Sequence, residues 1–259
     1  MSCRTIRIIP GSFILVAMML VFAVGCKSFK EQEDELLDNR RKGTIYISAD
    51  ESFKPIIDEH VKVYESNYPG TKINVDYKPE AECLKDMLID SIRLVITTRT
   101  YHQDEKNFIV DSLRKSPRSM VVARDAIAVI VHPDSPDTLF TMSEIREILT
   151  GRYKKKLIPV FDGVKATSTV RFVIDSVLRG DSLTPEAMAA RSSEGVIDYV
   201  AKTPGVIGFI GVSWIGNPED SSHLSFLKKV KVVSLESTDI PDAYVKAYQA
   251  NIYIKRYPM

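Results

Sequence analysis

Val160 to Leu178 reads VFDGVKATSTVRFVIDSVL. An apolar strand ends at Phe161, a turn follows at Asp162-Gly163, and a helix opens on Thr167-Ser168-Thr169. The first turn of a helix leaves backbone N–H groups without intrahelical acceptors and carries the positive end of the helix dipole. An oxyanion placed there is therefore stabilised without a dedicated cation. Thr167 or Ser168 is the expected N-cap, and Thr169 and Arg171 add a hydroxyl and a full charge. The same hydroxyls also make a plain helix cap, and this stretch alone does not choose between the two readings.

Strand, turn and helix recur on both sides of it. Residues 44–48 (TIYIS) alternate and are β-branched, and Ala49-Asp50-Glu51-Ser52 turns the chain into a helix over 53–67, with Pro55 in its first turn. A second strand is expected at 72–77, a helix at 79–88, and a third strand at 91–98 (SIRLVITT), whose apolar centre suits a buried parallel sheet. A helix over 104–115 leads to a long apolar segment, 120–131, interrupted at Ala123-Arg124-Asp125 and suited to passing between lobes. Thr141-Met142-Ser143-Glu144 is a capping box opening a helix to Leu149, which Gly151 stops. After a strand at 157–161 and the opening stretch come helical patterns at 185–191 and 194–201. Strands at 206–210 and 230–235 follow, then an amphipathic tail. Alternation of this kind gives an α/β class with mainly parallel sheets.

With 259 residues the chain has room for two lobes of about a hundred residues each. A formal net charge of +1, with 27% charged residues, creates no bulk field for nucleic acid, so no nucleic-acid partner is expected. Cys3, Cys26 and Cys83 show neither a CxxC nor a nearby histidine pair, which argues against a metal site and a disulfide framework. Gly205, Gly208 and Gly211 do not form a dinucleotide fingerprint, and no cofactor is expected. His60, His102, His132 and His223 fall in no catalytic motif and no GxSxG occurs, which argues against a hydrolase.

Residues 1–25 read as a signal peptide, with Arg4 and Arg7 ahead of an apolar run over 13–24 that is short for a membrane span. Ala23-Val24-Gly25-Cys26 resembles a bacterial lipobox, which implies lipid attachment at Cys26; Ala23 replaces the usual leucine. Residues 26–43 are polar and read as a tether. The expected location is the cell envelope, lipid-anchored on the periplasmic or extracellular face.

Six segments in order, SADESFKPIID, DSIRLVITTR, RDAIAVIVHPD, TMSEIREILTGRY, VFDGVKATSTVRF and TPGVIGFIGVSWI, cover most of 44–215. Together they resemble the phosphate-binding lipoproteins of bacterial phosphate ABC transporters, within the type II periplasmic-binding-protein superfamily. The resemblance implies a two-lobe periplasmic-binding-protein-like fold with a ligand cleft between lobes. Lobe one is 44–123 plus 212–259, and lobe two is 124–211. It implies a non-enzymatic protein that binds inorganic phosphate or a similar oxyanion reversibly and delivers it to an ABC transporter permease. The implied ligand residues are Ser52 and Phe53 after the first strand, Thr97, Thr98 and Arg99 after the third, and Ser168, Thr169 and Val170 at the helix start; Arg171 adds charge. All three are strand-to-helix turns, where open α/β sheets bind ligands.

Phosphate carries a proton at neutral pH and sulfate does not, so a carboxylate accepting that proton separates the two. Asp50, Glu82 and Asp162 are candidates, and each serves equally well as a turn or cap residue. The sequence departs from the family at Lys78-Pro79-Glu80-Ala81-Glu82-Cys83, where hydroxyl donors are expected. It departs again at Val160 and at Thr169-Val170, where many members carry arginine and Gly-Thr. Added acids weaken a dianion site by Coulomb repulsion. A lipid-anchored sensor or scaffold of the same fold, with anion binding altered or lost, is the alternative. Arg99 and Arg171 fit either a ligand role or an ion pair. The late segment 247–259 resembles the family's, in which Tyr-Pro is followed by a further strand; the expectation is that either the reading frame is shortened or a closing element of lobe one is absent, at a cost in stability.

Overall fold

The computed structural model describes residues 39, 41–114, 116–163, 167–215 and 228–259. The expected signal peptide, Cys26 and most of the tether lie outside the described residues. The chain forms two compact units. One is Met1–Thr44 with Tyr68–Lys72, in which the Asn39 side chain accepts from the Arg41 and Lys42 N–H groups and Thr71 Oγ1 donates to Tyr68 O. The other, Ile45–Asn67 with Ile73–Met259, holds the rest of the fold.

In chain order the first elements are β1 (Lys42–Asp50), a 3-10 turn (Glu51–Phe53), α1 (Lys54–Asn67), β2 (Gly70–Lys78), α2 (Glu80–Asp86), β3 (Ile92–Ile96) and α3 (Gln103–Leu113), with residues 42–44 of β1 and 70–72 of β2 belonging to the first unit. The strands lie in the order β2-β1-β3, with β1 and β3 parallel. Asp50 ends β1 by accepting the Ser52 N–H, so the chain passes directly from strand into turn. Pro55 falls in the first turn of α1, where its missing N–H has no intrahelical use.

A five-stranded sheet follows, ordered β7-β6-β8-β4-β9, from β4 (Ile127–Val131), β6 (Ile158–Phe161), β7 (Met188–Ala189), β8 (Val206–Gly211) and β9 (Lys231–Val232). Every residue of β4 and β8 is buried, which is why both read as unbroken apolar runs. The pairs β6–β7 and β6–β8 are parallel, whereas β4 runs antiparallel to β8 and β9, so the sheet is mixed. A small third sheet joins β5 (Leu139–Phe140), β10 (Ser234–Glu236) and β11 (Tyr244–Val245). Helices α4 (Met142–Thr150), α5 (Ser168–Phe172), α6 (Ser193–Lys202) and α7 (Gln249–Tyr253) complete the order, and α5 continues as a wider π-type turn, Val173–Leu178.

The main core lies on the five-stranded sheet, where Phe161 and Phe209 stack at 5.0 Å among Ile130, Val196, Ile197 and Val200. The capping box at Thr141 and Glu144 is present, and Gly151 ends α4 in the left-handed region at φ 75°. Here only glycine adopts the conformation without strain.

Several expectations need correction. Residues 185–191 are not helical: Met188 and Ala189 pair with Val160 and Phe161, and strand pairing overrides a helix-prone composition. The strand expected over 120–131 is confined to Ile127–Val131, with Met120, Val121 and Val122 exposed. The strand expected over 230–235 divides at Val233 into β9, which pairs with β4, and β10, which pairs with β5. Strand pairing thus places 231–236 beside β4 and β5. Burial agrees, since Leu235, Ala247, Tyr257 and Met259 join the main core and Tyr257 donates its hydroxyl to Ile127 O.

Candidate functional site

The turns after β1, β3 and β6 converge. Ser52 and Ser168, 116 positions apart, are both buried, and their hydroxyl oxygens lie 3.2 Å from each other. Each owes its position to a strand end. Ser52 is held by Asp50 through its N–H, and its carbonyl accepts from Ser213 Oγ just beyond β8. Ser168 opens α5 behind Thr167, the N-cap, whose Oγ1 accepts the Val170 N–H at 3.3 Å. Thr169 and Val170 are buried beside it, and Phe53 follows Ser52 half-buried. The N–H groups of the first helical turn have no intrahelical acceptor, and Thr167 satisfies that of Val170.

The third turn brings Thr98 to the same place. Its N–H and hydroxyl both donate to Glu80 Oε1, and its hydroxyl accepts from Arg171 Nη2 at 2.6 Å. Arg171 also donates from Nε to Glu80 Oε2 at 2.7 Å. Burial alone would push the Glu80 carboxyl up, but hydrogen bonds from Arg171 and Thr98 outweigh it and hold the group below the usual carboxylate range. Thr97 donates to Arg99 O and shapes the turn.

Arg99 is committed elsewhere. Its two terminal nitrogens donate to the two oxygens of Glu105, at 2.7 and 2.8 Å, and Glu105 also closes the N-terminus of α3 by accepting the His102 N–H. Glu105 is pulled down to about 2 by this guanidinium. Glu82 stands exposed in the first turn of α2; the buried carboxylate of that loop is Glu80.

Asp50 and Asp162 are both buried, and among the described residues Asp50 Oδ2 and Asp162 Oδ1 have no hydrogen-bond partner. Burial pushes both carboxyls up. Asp162 reaches about 7, with the charges of Glu51 and Asp50 acting in the same direction. Asp125 is exposed as a residue, yet its carboxyl lies close to Gly211 and is pushed up to about 6 by its removal from water, with Asp50 adding to the effect. Glu51 accepts from the Ser193 N–H and hydroxyl at the start of α6.

The structure thus joins Asp50, Ser52, Thr98, Ser168 and Arg171 and draws in Glu80, Glu51, Ser193 and Ser213, to which sequence reading assigns no role. Only Glu80 left a signal, as an acid in a loop expected to carry hydroxyls. Hydroxyls, first-turn N–H groups and carboxyls with raised affinity for protons suit the reversible holding of a ligand that both accepts and donates hydrogen bonds. None of the described histidines, cysteines, aspartates and glutamates group as a metal site.

Residues 37–259 match the family model described as a PBP superfamily domain. No curated protein matches the chain. Among solved structures, the fold is shared with a phosphate ABC transporter substrate-binding protein from Clostridium perfringens, described with bound phosphate. The two are 18% identical over 84% of this chain and 83% of that one, with a TM-score of 0.68. An ABC-type phosphate transport receptor from Vibrio cholerae is 19% identical over 83% of each chain, with a TM-score of 0.54. The OxyR2 regulatory domain from Vibrio vulnificus is 11% identical over 82% of this chain and 86% of that one, with a TM-score of 0.53. At these identities the likenesses speak for the fold, which the same α/β turns build here. With the family model spanning nearly all of the described residues, the chain belongs to the PBP superfamily.

Proposed function

We propose that this protein is an extracytoplasmic lipoprotein, anchored through Cys26, that binds phosphate or a related oxyanion reversibly and hands it to an ABC transporter permease. It acts by holding and releasing its ligand, not by catalysis. The observation that carries the reading is the buried pair Ser52 and Ser168, two hydroxyls from separate strand-to-helix turns at 3.2 Å, beside the first-turn N–H groups of α5. The phosphate-binding descriptions of the Clostridium perfringens and Vibrio cholerae proteins support phosphate as the first ligand to test. Ser52, Phe53, Thr98, Ser168, Thr169, Val170 and Arg171 form the seat, with Thr97 shaping one turn. Asp50 and Asp162, each with a carboxyl oxygen unpartnered among the described residues, accept a hydrogen bond from a proton carried by the anion once they are ionised, which for Asp162 means above about pH 7. A fully ionised dianion lacks that proton and meets repulsion instead.

Calorimetric titration of the purified domain with phosphate and with sulfate tests this reading. Heat saturating with phosphate and not with sulfate is the expected outcome. No heat with either at millimolar concentration would overturn it. One observation favours a second reading, a lipid-anchored sensor or scaffold of the same fold: the Arg171 guanidinium is already neutralised by Glu80. In that case neither anion binds.

A further inference from the structure

Glu80 is the most completely engaged side chain of the site. Its residue is 2% exposed, and its two oxygens accept from the Thr98 N–H, the Thr98 hydroxyl and Arg171 Nε, with Arg171 Nη2 at 3.5 Å from Oε1. These donors are a backbone N–H, a hydroxyl and a guanidinium fork, the set that receives the oxygens of a tetrahedral oxyanion. A carboxylate has two such oxygens in one plane, so it satisfies this set without leaving the protein.

The contact also ties distant parts of the chain together. Glu80 opens α2 and Thr98 follows β3, both beside the first sheet, while Arg171 lies on α5, after β6 of the five-stranded sheet. A second carboxylate repeats the arrangement. Glu51, in the turn after β1, accepts from the Ser193 N–H and hydroxyl at the start of α6, a helix N-terminus of the kind that attracts anions. Two of the junctions between the first sheet's turns and the later helices, besides that of Ser52 with Ser168, are therefore closed by the protein's own carboxylates.

We propose that Glu80 is a tethered internal anion: its carboxylate occupies the donors Thr98 and Arg171 that an incoming oxyanion needs, so ligand enters only by displacing it. The inference rests on the reading of the Ser52–Ser168 site as an oxyanion seat. Glu80 then sets affinity by competition. The ligand sees only the fraction of molecules in which Thr98 and Arg171 are free, and its apparent affinity falls by that fraction. A hydroxyl side chain at this place would need no such exchange, because it can donate to the anion instead of competing with it.

The test is phosphate titration by calorimetry of the wild-type domain, Glu80→Ala and Glu80→Gln, with circular dichroism to establish that each is folded. Ala removes the competing carboxylate, and Gln removes its charge at almost constant shape, so Gln decides the matter if Ala does not fold. The expected result is phosphate affinity raised about ten-fold or more in the folded variant, the free fraction no longer being limited by Glu80. Affinity equal to or below wild type would overturn the inference and leave the oxyanion reading standing. No binding by wild type or either variant would overturn both.

Discussion

Arg171 Nε donates to Glu80 Oε2 across 2.7 Å, although 91 positions separate the two residues, and the exposures of the two partners are unequal. The glutamate side chain is 3% exposed and the arginine 34%. Removing one partner is then a different event from removing the other. Arg171→Ala leaves a buried carboxylate without its cation, and unfolding in urea should show a loss of about 2–4 kcal/mol. Glu80→Gln returns the arginine to water it already partly touches and should lose no more than about 1 kcal/mol. The double variant should recover most of the Arg171→Ala loss, and equal losses from both single variants would contradict the asymmetry.

The raised carboxyl of Asp162 makes stability depend on pH in a definite direction. An aspartate is ordinarily ionised above about 4, while in the folded protein Asp162 keeps its proton up to about 7. Across that window the folded state binds more protons than the unfolded one, so its contribution to stability is present in acid and is lost as pH rises toward 7. Asp162→Asn should therefore gain stability relative to wild type between pH 5 and pH 8, by roughly 2–3 kcal/mol. Thermal unfolding of both proteins at the two pH values measures the difference. A constant difference across that range would remove Asp162 as a group with raised proton affinity.

Gly208 sits in the buried centre of β8, where a Cβ would lie 2.8 Å from side-chain carbons of Ile130, Val196 and Val200. Three apolar contacts at that distance leave no room for relaxation in one direction without compression in another. Gly208→Ala should destabilise the domain by about 1–3 kcal/mol through overpacking, read by chemical denaturation. An unchanged midpoint would mean that α6 yields more easily than the close packing of β8 against it implies.

Arg99→Ala separates stability from binding. With its terminal nitrogens on Glu105, Arg99 braces the start of α3 and is not free for a ligand. Phosphate affinity should change by less than about two-fold, with a stability loss of about 0.5–1 kcal/mol, the usual range for a partly exposed ion pair. A loss of affinity of about ten-fold or more would return Arg99 to the site.

What could be read from the sequence was mostly local. Thr141 with Glu144, Thr167 before Ser168, and Gly151 after α4 are caps, and caps are set by neighbours a few residues apart. The apolar runs of β4 and β8 also declared themselves, because a central strand buried on both faces needs no polar positions. Where the reading went astray, distant partners decided. Residues 185–191 carry good helix formers, yet β6 offers an open edge and Met188 and Ala189 take it. Glu80 and Glu82 look interchangeable in the loop, and only the approach of Arg171 and Thr98 makes one of them the buried acid. Arg99, the arginine favoured as a ligand from its place after the third strand, is instead engaged by Glu105, and it is Arg171 that meets Thr98 and Glu80.

The central claim is that an oxyanion is held where the turn at Ser52 meets the start of α5. Amide nitrogen and proton shifts during phosphate titration, followed residue by residue in solution by NMR, locate the ligand directly. The expected result is saturable movement concentrated at Phe53, Thr98, Ser168, Thr169 and Val170, with Lys231 and Lys246, which line a groove with Ser135, Thr138 and Tyr248, unmoved. Shifts that are absent, or that saturate only around those lysines, would contradict the claim.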